Sequence, residues 1–356
     1  VSKIVITGVG GLVGSAAAEY FHALGYSIVG VDNDSRGVLL NDPDASTLWS
    51  IERLRRELPR FYNYAFDVRR RSEVQAVLKA TRDVTAIIHT AAQTAHEGSL
   101  WEDFNTNVVG TLNMLEAWKV YAPQAVFIHM STIKVYGDYP NTLNYVQLPT
   151  RCDLDEGHRY YNGFDESVPI DQGGTSSFFG RSKTAADLYV QEFTSQFGLK
   201  AACLRASCIT GGSHSAVEAH GMLGYMMRCA YEQIPYRVYG YQGLQVRDQI
   251  HATDLVTAMH EFIKAPTSRV VYNIGGGRGN SCSMLEAIAA CERLTGNRMQ
   301  VSFHPMRTGD HQLWVTDNTA FEDAYPNWKI KMSLEAILEE ILEQGRGRWN
   351  ASMELV

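Results

Sequence analysis

Thr7-Gly8-Val9-Gly10-Gly11-Leu12-Val13-Gly14 is the stretch on which the fold turns. It follows the apolar run Lys3–Thr7 and opens a helical pattern over Leu12–Leu24, so its glycines stand where a strand becomes a helix. Glycine there lets the backbone turn tightly and come close to a pyrophosphate, whose charge is favoured at a helix N-terminus. About twenty residues on, Asp32 ends the next apolar run, where a carboxylate accepts from the hydroxyls of an adenosine ribose. Asp32 would repel a 2′-phosphate and so favours NAD; Arg36 nearby leaves NADP as the lesser alternative. Gly8, Gly10, Gly11, Leu12, Val13, Gly14, Asp32, Asn33, Ser35 and Arg36 are the first cofactor candidates.

Working outward, short β-branched runs alternate with helical patterns. Strands are expected at Lys3–Thr7, Ser27–Val31, Tyr62–Phe66, Thr85–Thr90, Ala125–Ser131 and Ala201–Arg205, and helices at Leu12–Leu24, Ser72–Thr81, Asn107–Tyr121 and Phe178–Gln196. Such alternation implies an α/β fold, a Rossmann-type doubly wound parallel sheet. Beyond Cys208 shorter elements and Gly-rich turns are expected, ending in an amphipathic helix with Leu334, Ile337, Leu338, Ile341 and Leu342. The reading divides the chain into an NAD-binding domain, residues 1–206, and a mainly substrate-binding region, 207–356, with chain crossovers between them. The long polar and aromatic stretch Asp138–Thr175 reads as a functional loop.

With 356 residues, 45% of them hydrophobic and 20% charged, the chain has the composition of a globular protein. Its net charge of −7 argues against nucleic acid as a partner, because phosphate affinity comes from clustered Lys and Arg. Six cysteines without C-x-x-C spacing predict a reduced, cytoplasmic chain without structural zinc or any other metal. No apolar run is long enough for a bilayer, so no membrane association is expected.

Further motifs follow the later strands: Asp67-Val68, His89-Thr90-Ala91-Ala92-Gln93, Asn107 in Asn-x-x-Gly-Thr, Ser131-Thr132-Ile133-Lys134-Val135-Tyr136-Gly137, and Lys183. Together with the glycine turn they resemble the extended short-chain dehydrogenase/reductase family. The resemblance implies that Asp67, Val68, Thr90, Ala91, Ala92, Gln93, Asn107, Ser131 and Lys183 face the cofactor. It also implies that Thr132 hydrogen-bonds the reacting hydroxyl and that Lys183 holds the nicotinamide ribose. Arg247-Asp248-x-Ile-His251-x-x-Asp254 resembles the family's diphosphate segment, with Arg247 on a phosphate; an ion pair with Asp248 or Asp254 is the alternative. Arg307, ahead of Gly309-Asp310, is placed on the same diphosphate, since guanidinium matches phosphate oxygens bidentately. Gln93, Thr132, His214, Arg247, Arg307 and Asp310 are the substrate candidates.

Gly163-Phe164-Asp165-Glu166-Ser167, Pro169-Ile170-Asp171, Ser182-Lys183-x-Ala-Ala-Asp187, Gln245-Val246-Arg247-Asp248 and Asn273-Ile274-Gly275-Gly276-Gly277 resemble the CDP-paratose (CDP-tyvelose) 2-epimerase branch. That likeness implies C2 epimerisation of a CDP-sugar by transient hydride transfer, in a homodimer joined by the helices after the fourth and fifth strands. The family's 4,6-dehydratases carry Asp-Glu where this chain has Ile133 and Lys134, which disfavours dehydration. Another nucleotide-sugar oxidoreductase or lyase, or a binding protein without turnover, is the alternative.

One position departs from the family. Phe179 stands where a catalytic Tyr is expected, four residues before Lys183, within Ser176-Ser177-Phe178-Phe179-Gly180. Phenylalanine cannot carry a proton, so the base is expected elsewhere, with Tyr136, His158, Tyr160, Tyr161, Glu166, His214 and Cys208 as the substitutes; an engineered Tyr-to-Phe change, chemistry that needs no phenol, and binding without turnover are the alternatives.

Overall fold

The computed structural model of the chain describes residues 1–94, 99–170 and 177–353; Asp171 and Ser176, quoted above, lie outside the described residues. Its central strands are β1 (Lys3–Thr7), β2 (Ser27–Val31), β3 (Phe61–Tyr64), β4 (Val84–His89), β5 (Val126–Thr132), β6 (Ala201–Ala206) and β7 (Val271–Ile274). All are parallel, in the order β7-β6-β5-β4-β1-β2-β3. This is the doubly wound Rossmann arrangement. The order reverses between β1 and β4, and ligands bind beyond the carboxyl ends of strands at such a switch point.

The longer helices are α1 (Leu12–Ala23), α2 (Leu48–Glu57), α3 (Arg71–Ala80), α4 (Gly110–Tyr121), α5 (Phe178–Phe197), α6 (Met222–Glu232), α7 (Ala252–Lys264), α8 (Met284–Thr295) and α9 (Leu334–Met353). Successive strand residues point to opposite faces, so each strand feeds two cores. Ile4, Ile6, Ile28 and Ile128 pack with Ala17 and Phe21 of α1 and Leu255 and Met259 of α7. Val5, Val29, Ile87 and Phe127 pack with Leu115 and Trp118 of α4 and Val190 of α5. Covering both faces explains why the strands read as unbroken apolar runs.

The sequence reading finds the first six strands to within two residues at either end but misses β7. Beyond Cys208 it expects short elements, whereas α6, α7 and α8 run to 11, 13 and 12 residues. In α6 only Arg228 and Glu232 are charged, so the segment reads as a largely apolar run. It packs with α8 and α9 in a separate core of Met226, Met227, Cys291, Ile337, Leu338 and Ile341.

A strand at Val246–His251 lies over the sheet's carboxyl edge. It pairs with Cys208–Thr210 directly after β6, and with Ser281–Ser283 and Leu313–Trp314. The loop after β5 is fixed by stacked rings. Tyr136 lies 5.1 Å from Trp314, Trp314 4.7 Å from Phe164, and Phe164 5.0 Å from Tyr160, centroid to centroid. Among the described residues, no helix is long and apolar enough to cross a membrane.

Candidate active site

At the carboxyl ends of β1 and β2 the site is made largely of backbone. Gly8 has φ +70°, and a Cβ there would stand 2.8 Å from Ala91 N; one on Gly14 would stand 2.2 Å from Gly8 O. Any side chain at either position would drive the turn apart. The first residue ahead of α1, Gly11, offers no side-chain cap, so the helix N–H groups face the cavity. Asp32 accepts from Gly10 N at 2.8 Å and Asp34 N at 2.9 Å, which fixes its carboxylate at the rim, while burial pushes its pKa up. This cradle fits a dinucleotide: open backbone donors for phosphate, and a carboxylate at the ribose position.

Gly8, Gly10, Gly11, Leu12, Val13, Asp32, Asn33, Ser35 and Arg36 all line one continuous cavity. So do Asp67, Val68, Thr90, Ala91, Ala92 and Ser131. Gly14 does not; its part is the close approach of helix to turn. Gln93 and Asn107 are not lining residues either. Asn107 lies in a stretch of π-type turns, Phe104–Val109, and binds Gln93 N at 2.8 Å, Gln93 O at 3.1 Å and Ser182 Oγ at 2.9 Å. It ties the loop after β4 to α5, a supporting position instead of the contact the resemblance implies.

Arg36 is not free for a 2′-phosphate. Its Nη1 donates to Ala45 O (2.8 Å) and Ser215 O (2.6 Å), and its Nη2 to His220 Nδ1 (3.2 Å) and His214 Nε2 (3.5 Å). Burial brings its pKa down to about 10. His214, a substrate candidate, therefore lies at the Arg36 end of the cavity. Its imidazole is buried and held neutral well below the usual range.

Thr132, Phe179 and Lys183 line the middle of the cavity. Ser177 caps α5 by accepting from Gly180 N at 3.0 Å, which puts Phe179 in the first turn and Lys183 one turn further along the same face. Lys183 Nζ donates to Met130 O on β5, and burial lowers its pKa to about 8 against the opposing charge of Asp187. Asp187 itself is held by Arg205 at 2.9 Å and Ser131 Oγ at 2.5 Å.

Beyond them lies a charged cluster. Arg247 Nη2 donates to Asp310 Oδ1 at 2.6 Å and also reaches His311 O. Asp248, expected as an alternative partner, instead accepts from Gly277 N (3.0 Å) and Thr316 N (3.2 Å), because adjacent strand residues face opposite ways. Asp254 accepts from Lys331 N and Met332 N. Arg307 lines the cavity with its guanidinium 3.8 Å from the Tyr239 ring centroid. The sequence reading missed Lys134 as a lining residue, and Gln245 and Gln249 too. The last two stand two residues either side of Arg247, so strand alternation was the available signal.

Most of the substitutes for the missing phenol lie elsewhere. Tyr136 is buried, its hydroxyl 2.5 Å from Asn273 Oδ1 and its pKa pushed up to about 12 by burial. Tyr160 belongs to the ring stack, Tyr161 lies under Arg278, and His158 packs beside Tyr160. Glu166 accepts from Asn273 N at 2.6 Å and pairs with Arg269 at 3.1 Å. Cys208 does line the cavity, but burial raises its thiol to about 11, so it stays protonated. Among the described residues no cluster of His, Cys, Asp and Glu could hold a metal ion.

Known proteins agree with this architecture. The CDP-paratose 2-epimerase of Salmonella typhi is 30% identical over 364 residues, covering 99% of this chain and 100% of its own. The UDP-glucuronate 4-epimerase of Thermodesulfobacterium geofontis is 25% identical, with 93% of this chain and 92% of its own covered. The solved UDP-glucose 4-epimerase from Bifidobacterium longum, in complex with NAD+ and UDP, superposes with a TM-score of 0.79 at 22% identity, over 98% of this chain and 99% of that one. Residues 4–275 match the profile of the NAD dependent epimerase/dehydratase family, and the chain belongs to that family of sugar-nucleotide enzymes.

Proposed function

We propose that the protein is an NAD-dependent nucleotide-sugar epimerase acting at C2 of a CDP-sugar. The observation that carries this reading is one cavity with two differently built ends: the glycine cradle with Asp32, and the Arg247–Asp310 cluster, meeting at Thr132 and Lys183. The full-length likeness to a CDP-paratose 2-epimerase supports the choice of nucleotide and carbon.

In this reading Gly8, Gly10, Gly11 and the α1 N-terminus hold the pyrophosphate of NAD, and Asp32 accepts from its adenosine ribose. Asp67 and Val68 border the adenine. Arg36 is engaged by carbonyls and imidazoles instead of being open to a 2′-phosphate, which favours NAD over NADP. Bound NAD supplies reversible hydride acceptance. Lys183 holds the nicotinamide ribose, Thr132 donates to the reacting oxygen, and Arg247 with Arg307 binds the substrate diphosphate. Phe179 forms an apolar wall against which a keto sugar can turn without losing a hydrogen bond. Trp101 (67% exposed), Phe178 (54%), Leu188 (49%) and Tyr189 (47%) lie on or beside the helices after β4 and β5, which favours a homodimer through these helices.

The test is incubation with CDP-, GDP- and UDP-sugars, followed by proton NMR. Inversion at C2 of a CDP-sugar is expected. Turnover confined to another nucleotide, or loss of water from the sugar, would overturn the reading, as would binding without any turnover.

A further inference from the structure

We propose that Lys134 is the proton acceptor and donor of the sugar subsite, a catalytic residue doing what Phe179 cannot. This rests on the epimerase reading above. Oxidising a carbinol carbon requires its hydroxyl proton to go to a group lining the cavity near Thr132. Phe179 has no exchangeable proton, the Cys208 thiol is a poor acceptor, and Asp310 is committed to Arg247. Lys183 is tied to Met130 O, and His214 is engaged at the Arg36 end.

Lys134 lines the same cavity and leaves the chain two residues after Thr132, within the single turn Ile133–Tyr136. Its backbone N–H donates to Thr132 Oγ1 at 3.3 Å, so the threonine hydroxyl keeps its own proton to give to a substrate oxygen. The Lys134 amine donates to Gly309 O at 2.8 Å and lies 3.4 Å from Asp310 Oδ1. Those contacts occupy two of its tetrahedral positions; the third has no protein partner among the described residues. Once deprotonated, an amine held in this way would keep its lone pair for the cavity.

A purely structural role is a poor account of this lysine. Asp310 already has the closer partner in Arg247, at 2.6 Å against 3.4 Å. A second cation is not needed to hold it. Around the amine stand Asp310 and Cys208, which favour its charged form, and Arg247, which disfavours it; the neighbouring imidazole of His311 is neutral. Burial is the largest influence, and the balance lowers the amine from its ordinary value.

The step balances without a further reactant. The sugar O–H bond would break and an N–H bond form at Lys134 Nζ, the O–H pair becoming the carbonyl π bond as the carbon's hydrogen leaves with its bonding pair as hydride, for which bound NAD would be the acceptor. On return the ammonium gives its proton back to the oxygen as the C–H bond forms on the other face.

The experiment compares Lys134→Met and Lys134→Arg, each alone and combined with Phe179→Tyr. Both single variants should lose about 10²–10⁴-fold in kcat, the scale of general acid–base catalysis, with CDP affinity unchanged. The wild-type rate should rise with pH through the Lys134 titration, and the variants should lose that limb. Phe179→Tyr should restore at least about tenfold to Lys134→Met, because a phenol beside Lys183 is the alternative proton carrier. In 13Cε-lysine NMR, the resonance that the substitutions remove should titrate below the ordinary lysine range. Full kcat in Lys134→Arg, or a loss in Lys134→Met matched by lost CDP affinity with an unchanged pH profile, would overturn the assignment. An ordinary lysine titration would overturn it without any turnover being measured, the resonance being assigned from whichever of the two variants folds. A wild-type protein inactive on every sugar nucleotide would refute the underlying epimerase reading instead.

Discussion

The two ends of the cavity are built from different materials. The cofactor end is backbone: glycines whose missing Cβ atoms leave room, helix N–H groups, and one carboxylate pinned by two amides. The sugar end is built from side chains of three distant segments: Arg247 ion-paired with Asp310, and the Lys134 amine set against the same carboxylate. A backbone site depends on conformation and tolerates no added atoms. A charge site depends on pairing, and losing one partner leaves the other buried and uncompensated.

The largest expected effect tests that second statement. Arg247→Leu strands the Asp310 carboxylate with the more distant Lys134, and breaking a buried pair costs about 3–5 kcal/mol. The expected outcome is a lowered melting temperature together with loss of measurable CDP binding by calorimetry, while NAD binding persists. Loss of both ligands in equal measure would erase the distinction between the two ends.

Gly14→Ala is the matching experiment on the backbone end. Its methyl would meet Gly8 O at 2.2 Å, and overpacking of this kind costs about 1–3 kcal/mol. NAD affinity should fall with CDP affinity nearly unchanged. Asp32→Asn is gentler, since it keeps shape and removes charge. One charge-assisted hydrogen bond is worth about 1.5–3 kcal/mol, so NAD affinity should fall roughly tenfold or more, and discrimination against NADP should narrow. Unaltered NAD affinity in this variant would remove Asp32 from the ribose. Phe179→Tyr in the otherwise unchanged protein should alter kcat by less than about tenfold, because the proton already has a carrier. A gain of two orders of magnitude would show that the phenol was simply missing.

The same contrast explains what the sequence disclosed. The glycine turn, Asp32 and the strands that carry them are local, and a window of a few residues contains the whole signal. Arg247 and Asp310 could each be picked out as substrate candidates, but their pairing could not. Asp248 is next to Arg247 in the chain and faces the opposite side of the strand, whereas Asp310 arrives from 63 residues away. Lys134 was read only as the absence of an acid. Its placement depends on the 309–310 turn closing over it, 175 and 176 residues on, which no periodicity encodes. His214 was a substrate candidate; in the fold, Arg36 holds its loop over the other end. Helix α6 was missed because only Arg228 and Glu232 break its apolar run.

The central claim is that the C2 hydrogen leaves as a hydride and returns to the same carbon, with the proton handled separately by a residue of the chain. Turnover of a CDP-sugar in deuterium oxide, read by proton NMR and mass spectrometry at C2, tests it most directly. The expected product is the C2 epimer with protium retained at that carbon. Deuterium at C2 would mean that a proton is removed beside a carbonyl and replaced from solvent, which contradicts hydride return.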